Sequence, residues 1–363
     1  MGSFGNKMLP FTGVDNRFKF RINTTNTSIG SSSSNQFRLP ILTNIIGINF
    51  IINWGDGTSN VITDPNQAEV LHTYASSGIY DVNITGVNFG WSFVNDKDRL
   101  KMLNISNWGT FNISAASTFW GCSNMTITAT DYPIISSASL AFTFASCSSI
   151  TSIDLSGCDT SSVNGGPGMF SSCRAMHTCN VSTWNTSGFL DVSSMFINCT
   201  SLLSLNLTNW NVSNIINLST TFRNCIVLTT IGDVSGWNTF NVNTMFRLFF
   251  GCRNLSLNGI QNWNVSNVLT MQELLRDADL FTASLANWDI NQVTTFLAFM
   301  SFATGMTTAN YDATLISWNN QVPKNNINID FGGSKYTLGS AAAAARQNLI
   351  TTYNWTIADG GGI

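Results

Sequence analysis

The stretch Phe196-Ile197-Asn198-Cys199-Thr200-Ser201-Leu202-Leu203-Ser204-Leu205-Asn206-Leu207-Thr208-Asn209-Trp210-Asn211-Val212-Ser213 is the clearest copy of a unit that recurs through the middle of the chain. Outward from Cys199, the series Cys122, Cys147, Cys173, Cys199, Cys225 and Cys252 advances by 25, 26, 26, 26 and 27 residues. A second series runs in phase through Trp184, Trp210, Trp237, Trp263 and Trp288, in steps of 26, 27, 26 and 25. Two uncommon residue types keeping one period mark a supersecondary unit stacked on copies of itself, the signature of a solenoid. The most regular side chains of such a fold are its core, so both series are expected to form a buried structural ladder. Leu205-x-Leu207 is expected to be a short strand with both side chains on one face.

Departures from the pattern are informative. Cys158 falls where a tryptophan is expected, and Ala278 and Ala303 fall where cysteines are expected. A small apolar residue standing in for cysteine means that the slot demands burial and modest volume, not sulfur chemistry. Stacked in-phase thiols come close, but their parallel Cβ vectors do not favour bridging. Reduced, buried thiols are therefore expected, at Cys158 and Cys179 as well. No Cys-x-x-Cys occurs, so no zinc site is expected.

The chain has 363 residues, a length that allows two or three domains. Its net charge is −3, only 10% of its residues are charged, and it has no basic run, which argues against nucleic acid as a partner. No stretch approaches the roughly 18 apolar residues of a membrane span. Ile45 to Ile52, interrupted by Gly47 and Asn49, reads as a buried strand. The opening Met1-Gly2-Ser3-Phe4-Gly5-Asn6-Lys7 lacks an apolar h-region, so no ordinary export signal is expected there. Asn6 stands where myristoylation of Gly2 would call for Ser or Thr.

Four segments follow: an N-terminal arm (1–16), a β-rich unit (17–90), the repeats (91–308) and a C-terminal cap (309–363). In the second, Phe18-Lys19-Phe20-Arg21-Ile22 and Tyr80-Asp81-Val82-Asn83-Ile84 alternate with the period of half-buried strands. Gly55-Asp56-Gly57 is a tight-turn signal. The order Trp54-Gly55-Asp56-Gly57-Thr58, then His72-Thr73-Tyr74, then Gly78-Ile79-Tyr80-Asp81-Val82 resembles the PKD family of immunoglobulin-like domains, which implies an extracellular spacer or adhesion module. The repeat resembles the BspA-like leucine-rich repeats of about 25 residues found in bacterial surface proteins. Asp98 to Gly109 is similar to that family's entry coil, and Tyr311 to Trp318 with Tyr353 to Gly361 to its tail. The fold class so implied is mainly β: a PKD-like β-sandwich, a leucine-rich-repeat solenoid and a helical cap. Asn310 is expected to cap one helix and Ser340 a second, alanine-rich one.

Little in the chain points to catalysis. His72 and His177 are the only histidines, and neither has evident partners for general-base chemistry or a metal site. Asp56 is one carboxylate in a turn, short of a calcium cage. The tryptophans could be imagined as a sugar-stacking face, but repeat spacing favours a core role; Trp91 and Trp120 fall outside the series. Asn185, Asn211, Asn238 and Asn264 follow tryptophans and are expected to satisfy turn backbone groups. The Asn-x-Ser/Thr triplets come from the repeat itself and carry little weight as glycosylation signals. The expected function is non-enzymatic and needs no cofactor. It is that of a virion structural protein, as decoration, fibre or tail-associated part, presenting its repeats for host attachment or particle contacts at the virion surface. The alternative is a bacterial cell-surface adhesion protein. Expected partners are other virion or surface proteins, a host-surface protein or glycan, or further copies of the chain. Nothing in the sequence places the binding face.

Overall fold

The computed structural model describes residues 15–45, 47–87, 90–257 and 259–363. The expected N-terminal arm and the question of Gly2 therefore lie outside the described residues, except for Asp15 and Asn16.

Alternating apolar residues build the first strands: β1 (Phe18–Asn23), β2 (Gln36–Arg38), β3 (Asn49–Asn53), β4 (Ser59–Ile62), β5 (Leu71–Thr73) and β6 (Ile79–Val87). Phe18, Phe20 and Ile22 of β1, Phe50 and Ile52 of β3, and Val82 and Ile84 of β6 are buried, so every second side chain faces the core. β1 runs antiparallel to β6, β6 to β3, and β3 to β4. The other edge of β1 pairs antiparallel with β7 (Met102–Asn107), and β7 pairs in parallel with β9 (Thr126–Ile127). One sheet of order β4-β3-β6-β1-β7-β9 thus crosses residue 90 into the first repeats. β2 and β5 form a separate antiparallel pair.

Within the repeats, β8 (Asn112–Ile113) pairs in parallel with β10 (Ile134–Ile135), and β11 (Ser152–Asp154) with β12 (Thr178–Asn180). Beyond residue 180 regular strands give way to single parallel bridges. One column runs Thr178, Ser204, Thr230; another runs Gly165, Asp191, Asn217, Thr244, Thr270, Thr295.

Turn backbone joins successive coils elsewhere on the perimeter. Each coil holds two residues, four apart, in the left-handed region: Ser194 and Asn198 at φ 56° and 59°, Thr220 and Asn224 at 58° and 61°, Arg247 and Gly251 at 53° and 75°. The N–H groups of Ser194, Phe196 and Asn198 donate to the carbonyls of Ser219, Thr221 and Arg223 in the next coil, at 2.8–2.9 Å. Those of Met195, Ile197 and Cys199 donate back to Val192, Ser194 and Phe196. Every N–H from 194 to 199 is therefore satisfied, alternately by the next coil and by its own turn.

This arrangement corrects the fold class expected above. The N-terminal strands do not close a PKD-like sandwich of their own, because four of them share one sheet with β7 and β9. The repeats do not form a leucine-rich-repeat solenoid either, because the coils add no continuous strand ladder. Among the described residues the strands form one six-stranded sheet and four two-stranded ones, with few helices. The physical reason is the hydrogen bonding: beyond residue 180 successive coils meet through single bridges and through turns whose N–H groups alternate between the next coil and their own turn, so no continuous ladder forms.

At the C-terminal end, α1 (Thr308–Asn319) and α2 (Ala341–Tyr353) pack against each other. β13 (Asn328–Asp330) and β14 (Thr356–Ala358) pair in parallel. The cap of α1 is Thr307, whose hydroxyl accepts the N–H of Asn310, so the expected cap at Asn310 lies three residues too late. Ser340 caps α2 by accepting from Ala342 and Ala343. Trp318 and Phe331 cover Phe296 and Phe299, which would otherwise end the core in solvent. One apolar core runs unbroken from Phe18 to Trp355. Among the described residues no helix is long and apolar enough to cross a membrane.

Candidate binding face

The two in-phase series lie inside. Cys122, Cys147, Cys173, Cys199, Cys225 and Cys252 expose no surface, and Trp184, Trp210, Trp237, Trp263 and Trp288 are at most 6% exposed. All eight cysteines, Cys158 and Cys179 included, are buried free thiols. Burial pushes the thiols up, Cys173 and Cys252 to about 12, so they stay protonated. From Cys147 onward, each in-phase thiol donates to a phenylalanine carbonyl of the preceding coil: Cys147 to Phe119, Cys173 to Phe144, Cys199 to Phe170, Cys225 to Phe196 at 3.1 Å, and Cys252 to Phe222 at 3.0 Å.

Each indole reaches back in the same way. Trp184 Nε1 donates to Leu155 at 2.9 Å, Trp210 to Val181 at 3.1 Å, Trp237 to Leu207 at 3.3 Å, and Trp263 and Trp288 to Val234 and Ile260 at 3.0 Å. A third ladder accompanies the two series. The rings of Phe119, Phe144, Phe170, Phe196, Phe222 and Phe249 stack with centroids 5.4–5.9 Å apart and planes within 11°. The amides after the tryptophans make Asx turns: Asn185 Oδ1 accepts the Ser187 N–H, Asn211 that of Ser213, Asn238 that of Phe240 and Asn264 that of Ser266. Trp91 is buried among Phe18, Phe20, Phe93 and Phe111, and Trp120 stacks on Phe142 at 5.0 Å.

His72 has a partner that sequence reading missed. Its Nε2 lies 2.8 Å from Asp56 Oδ2, and its ring stacks on Trp54 with centroids 4.5 Å apart. Asp56 Oδ1 meanwhile accepts the N–H and hydroxyl of Thr58. Both carboxylate oxygens are thus engaged in tying the turn to the neighbouring strand. The sixteen positions from Asp56 to His72 hide this contact; packing of the His72 ring on Trp54 brings β5 against the β3–β4 turn and creates it. His177 is exposed in a repeat. Among the described residues no group of three or more His, Cys, Asp or Glu is placed to hold a metal ion.

A cleft of about 720 Å³ runs along the column of short strands. Leu205, Ile153 and Cys179 point into the core there, so the alternate side chains point out. The exposed lining is Ser152, Asp154, Thr178, Asn180, Ser204, Asn206 and Thr230. Asp154, Asn180 and Asn206 each use Oδ1 on an N–H two residues on. The second oxygen of Asp154, the amide nitrogens of Asn180 and Asn206 and the hydroxyls of Ser152, Thr178 and Ser204 remain available to a ligand. They recur one coil apart, about 4.8 Å along the stack.

Searches among curated proteins and among solved structures find no match. A family model described as "Mycoplasma protein of unknown function, DUF285" matches three overlapping segments, residues 88–204, 167–258 and 228–329. Together these take in all the coils between Cys122 and Ala303 and span about two thirds of the chain. The chain belongs to the DUF285 family of Mycoplasma proteins of unknown function.

Proposed function

We propose that the protein is a non-enzymatic attachment scaffold whose polar cleft receives an uncharged glycan. The observation that carries this reading is the repeated set of exposed hydroxyls and amides at Ser152, Thr178, Asn180, Ser204 and Asn206 along one open cleft. Sugars present alternating donors and acceptors, and hydroxyl and amide groups serve as both. The carboxylate of Asp154 adds an acceptor for sugar hydroxyls and repels anionic ligands. The strongest candidates for chemistry already have structural work: the thiols are held protonated by burial, and His72 is fixed between Asp56 and Trp54.

Binding of the full chain to an array of neutral glycans tests the reading. The double variant Asn180→Ala, Asn206→Ala is expected to weaken the best binder by roughly tenfold or more, the loss of two hydrogen bonds. A chain that binds no neutral glycan, or a double variant that binds as well as the parent, would overturn it. The scaffold is displayed on a virus particle or on a cell surface. Proteomics of purified particles beside washed cells and secreted fractions decides between these two carriers.

A further inference from the structure

The turn edge of the later coils carries a chemistry that the polar cleft does not use. Arg223, Arg247 and Arg276 place their guanidinium carbons 5.3, 5.8 and 5.2 Å from the centroid of one ring, Phe250. Arg247 also lies 4.7 Å over Phe246, and Arg276 lies 5.0 Å from the Phe302 ring. Two carboxylates sit among them. Glu273 accepts from Arg247 at 2.7 Å and from Arg276 at 3.4 Å; Asp277 accepts from Arg253 at 3.0 Å.

The acids are the inner members of this cluster. The Glu273 side chain is 6% exposed and that of Asp277 17%, against 29% for Arg247, 31% for Arg276 and 60% for Arg253. Among the described residues, Arg223 has no carboxylate within ion-pair reach. Four guanidinium groups against two carboxylates leave a positive surplus on the outer side, in a protein whose net charge is −3. The backbone beneath is strained: Arg247, Glu273, Asp277 and Phe302 all have positive φ, of 53°, 53°, 57° and 67°. Glycine fills an equivalent position at Gly251, so the fold accepts glycine there. Large side chains nonetheless occupy the strained positions, and Phe302 is 72% exposed.

We propose that this edge binds a linear sulfated polysaccharide. Arg223, Arg247 and Arg276 sit in successive coils, about 4.8 Å apart along the stack, so an extended chain of closely spaced anions meets a guanidinium at each step. Guanidinium pairs bidentately with sulfate as it does with phosphate or carboxylate. The exposed face of Phe302 supplies an apolar platform for a sugar ring. The guanidinium groups converge on one ring, Phe250, so the positive patch is compact, which suits a single strand and not the flat face of a folded acidic protein. The proposal stands apart from the cleft reading, since the ligand charge, the residues and the perimeter position all differ.

The test is binding of the full chain to immobilised heparin oligosaccharides at low and at physiological salt, with Arg223→Gln, Arg253→Gln and Arg174→Gln. The parent chain is expected to bind, more weakly at higher salt, although its net charge opposes a polyanion. Arg223→Gln removes no ion pair, so it keeps the fold, and it is expected to weaken binding roughly tenfold, the worth of one charge-assisted contact. Arg253→Gln should weaken it further, and Arg174→Gln, outside the cluster, should leave it unchanged. Desulfated heparin should not bind. The proposal is overturned if the parent fails to bind at low salt or if Arg174→Gln loses as much as Arg223→Gln. Tighter binding of oligo-dT or polyglutamate would overturn it as well.

Discussion

At Cys199 the thiol donates to the Phe170 carbonyl 3.1 Å away, an oxygen that already accepts the N–H of Cys173. The thiol bond is therefore a second bond to a satisfied acceptor. That explains why Ala278 and Ala303 can occupy the slot: losing the thiol leaves no carbonyl bare. Because burial holds the thiols protonated, none of the eight cysteines should react with a disulfide reagent in the folded protein, and all eight should react in denaturant. Labelling of any one in the native state would contradict the packing described. The period of the cysteines made their burial legible in the sequence. The direction of the thiol bond was not legible, since its acceptor lies 28 to 30 residues away and only stacking brings the two together. The same holds for Asp56 and His72, joined by side-chain packing between segments that share no local pattern.

The element that escaped sequence reading altogether is the left-handed turn. Its first position is held in successive coils by Ser117, Phe142, Gly168, Ser194, Thr220, Arg247, Glu273 and Ala298. One glycine in eight offers no signal, because tertiary hydrogen bonds impose the conformation against local preference. Ser172, at φ 61°, donates its N–H to Ile197 at 2.8 Å and makes a clean test. Ser172→Gly should leave thermal stability equal or higher, by up to about 1 kcal/mol, as the Cβ penalty is relieved. Ser172→Val should lower it by about 1–2 kcal/mol, because a branched Cβ tolerates this region worst. The reverse order in denaturant melts would mean that the turn is not left-handed. The Leu205-x-Leu207 strand was expected from alternation, and both leucines are buried. Only Ser204 forms a bridge there, however, since Leu207 donates to Ile231 where regular pairing would use Gly232. Gly232, at φ 87°, belongs to the coil that is one residue longer than its neighbour, and that insertion ends the ladder.

Across the whole molecule, the β2 segment with the loop before it and the start of the first coil are locked by a buried ion pair that composition could not reveal. Lys101 and Asp98 expose no side-chain surface and lie 3.2 Å apart. The Lys101 ammonium donates to the carbonyls of Ser32, Ser33 and Gln36, while Asp98 accepts from the N–H groups of Ser32 and Arg38. Lys101→Met strands the aspartate and should cost about 3–5 kcal/mol in chemical denaturation. Asp56 sets part of the acid limit. Burial draws its pKa upward, but hydrogen bonds from Thr58 and His72 outweigh that and hold it below the ordinary carboxylate value. A depressed folded pKa contributes stability in full above about pH 4, which is lost as pH falls through the folded value. Asp56→Asn should therefore flatten the fall of melting temperature below about pH 4; an unchanged acid limb would refute the linkage. The alternate N–H groups of the turns carry one more implication. Each coil hands its amide protons to its successor and offers the same oxygens to its predecessor, so neighbours are interchangeable partners. Loss or duplication of one full period would restore matching surfaces on either side of the splice, whereas a half period would set donors against apolar flanks. A chain shortened or lengthened by whole coils should thus still fold, and the reach of the molecule can change without redesign of its interior.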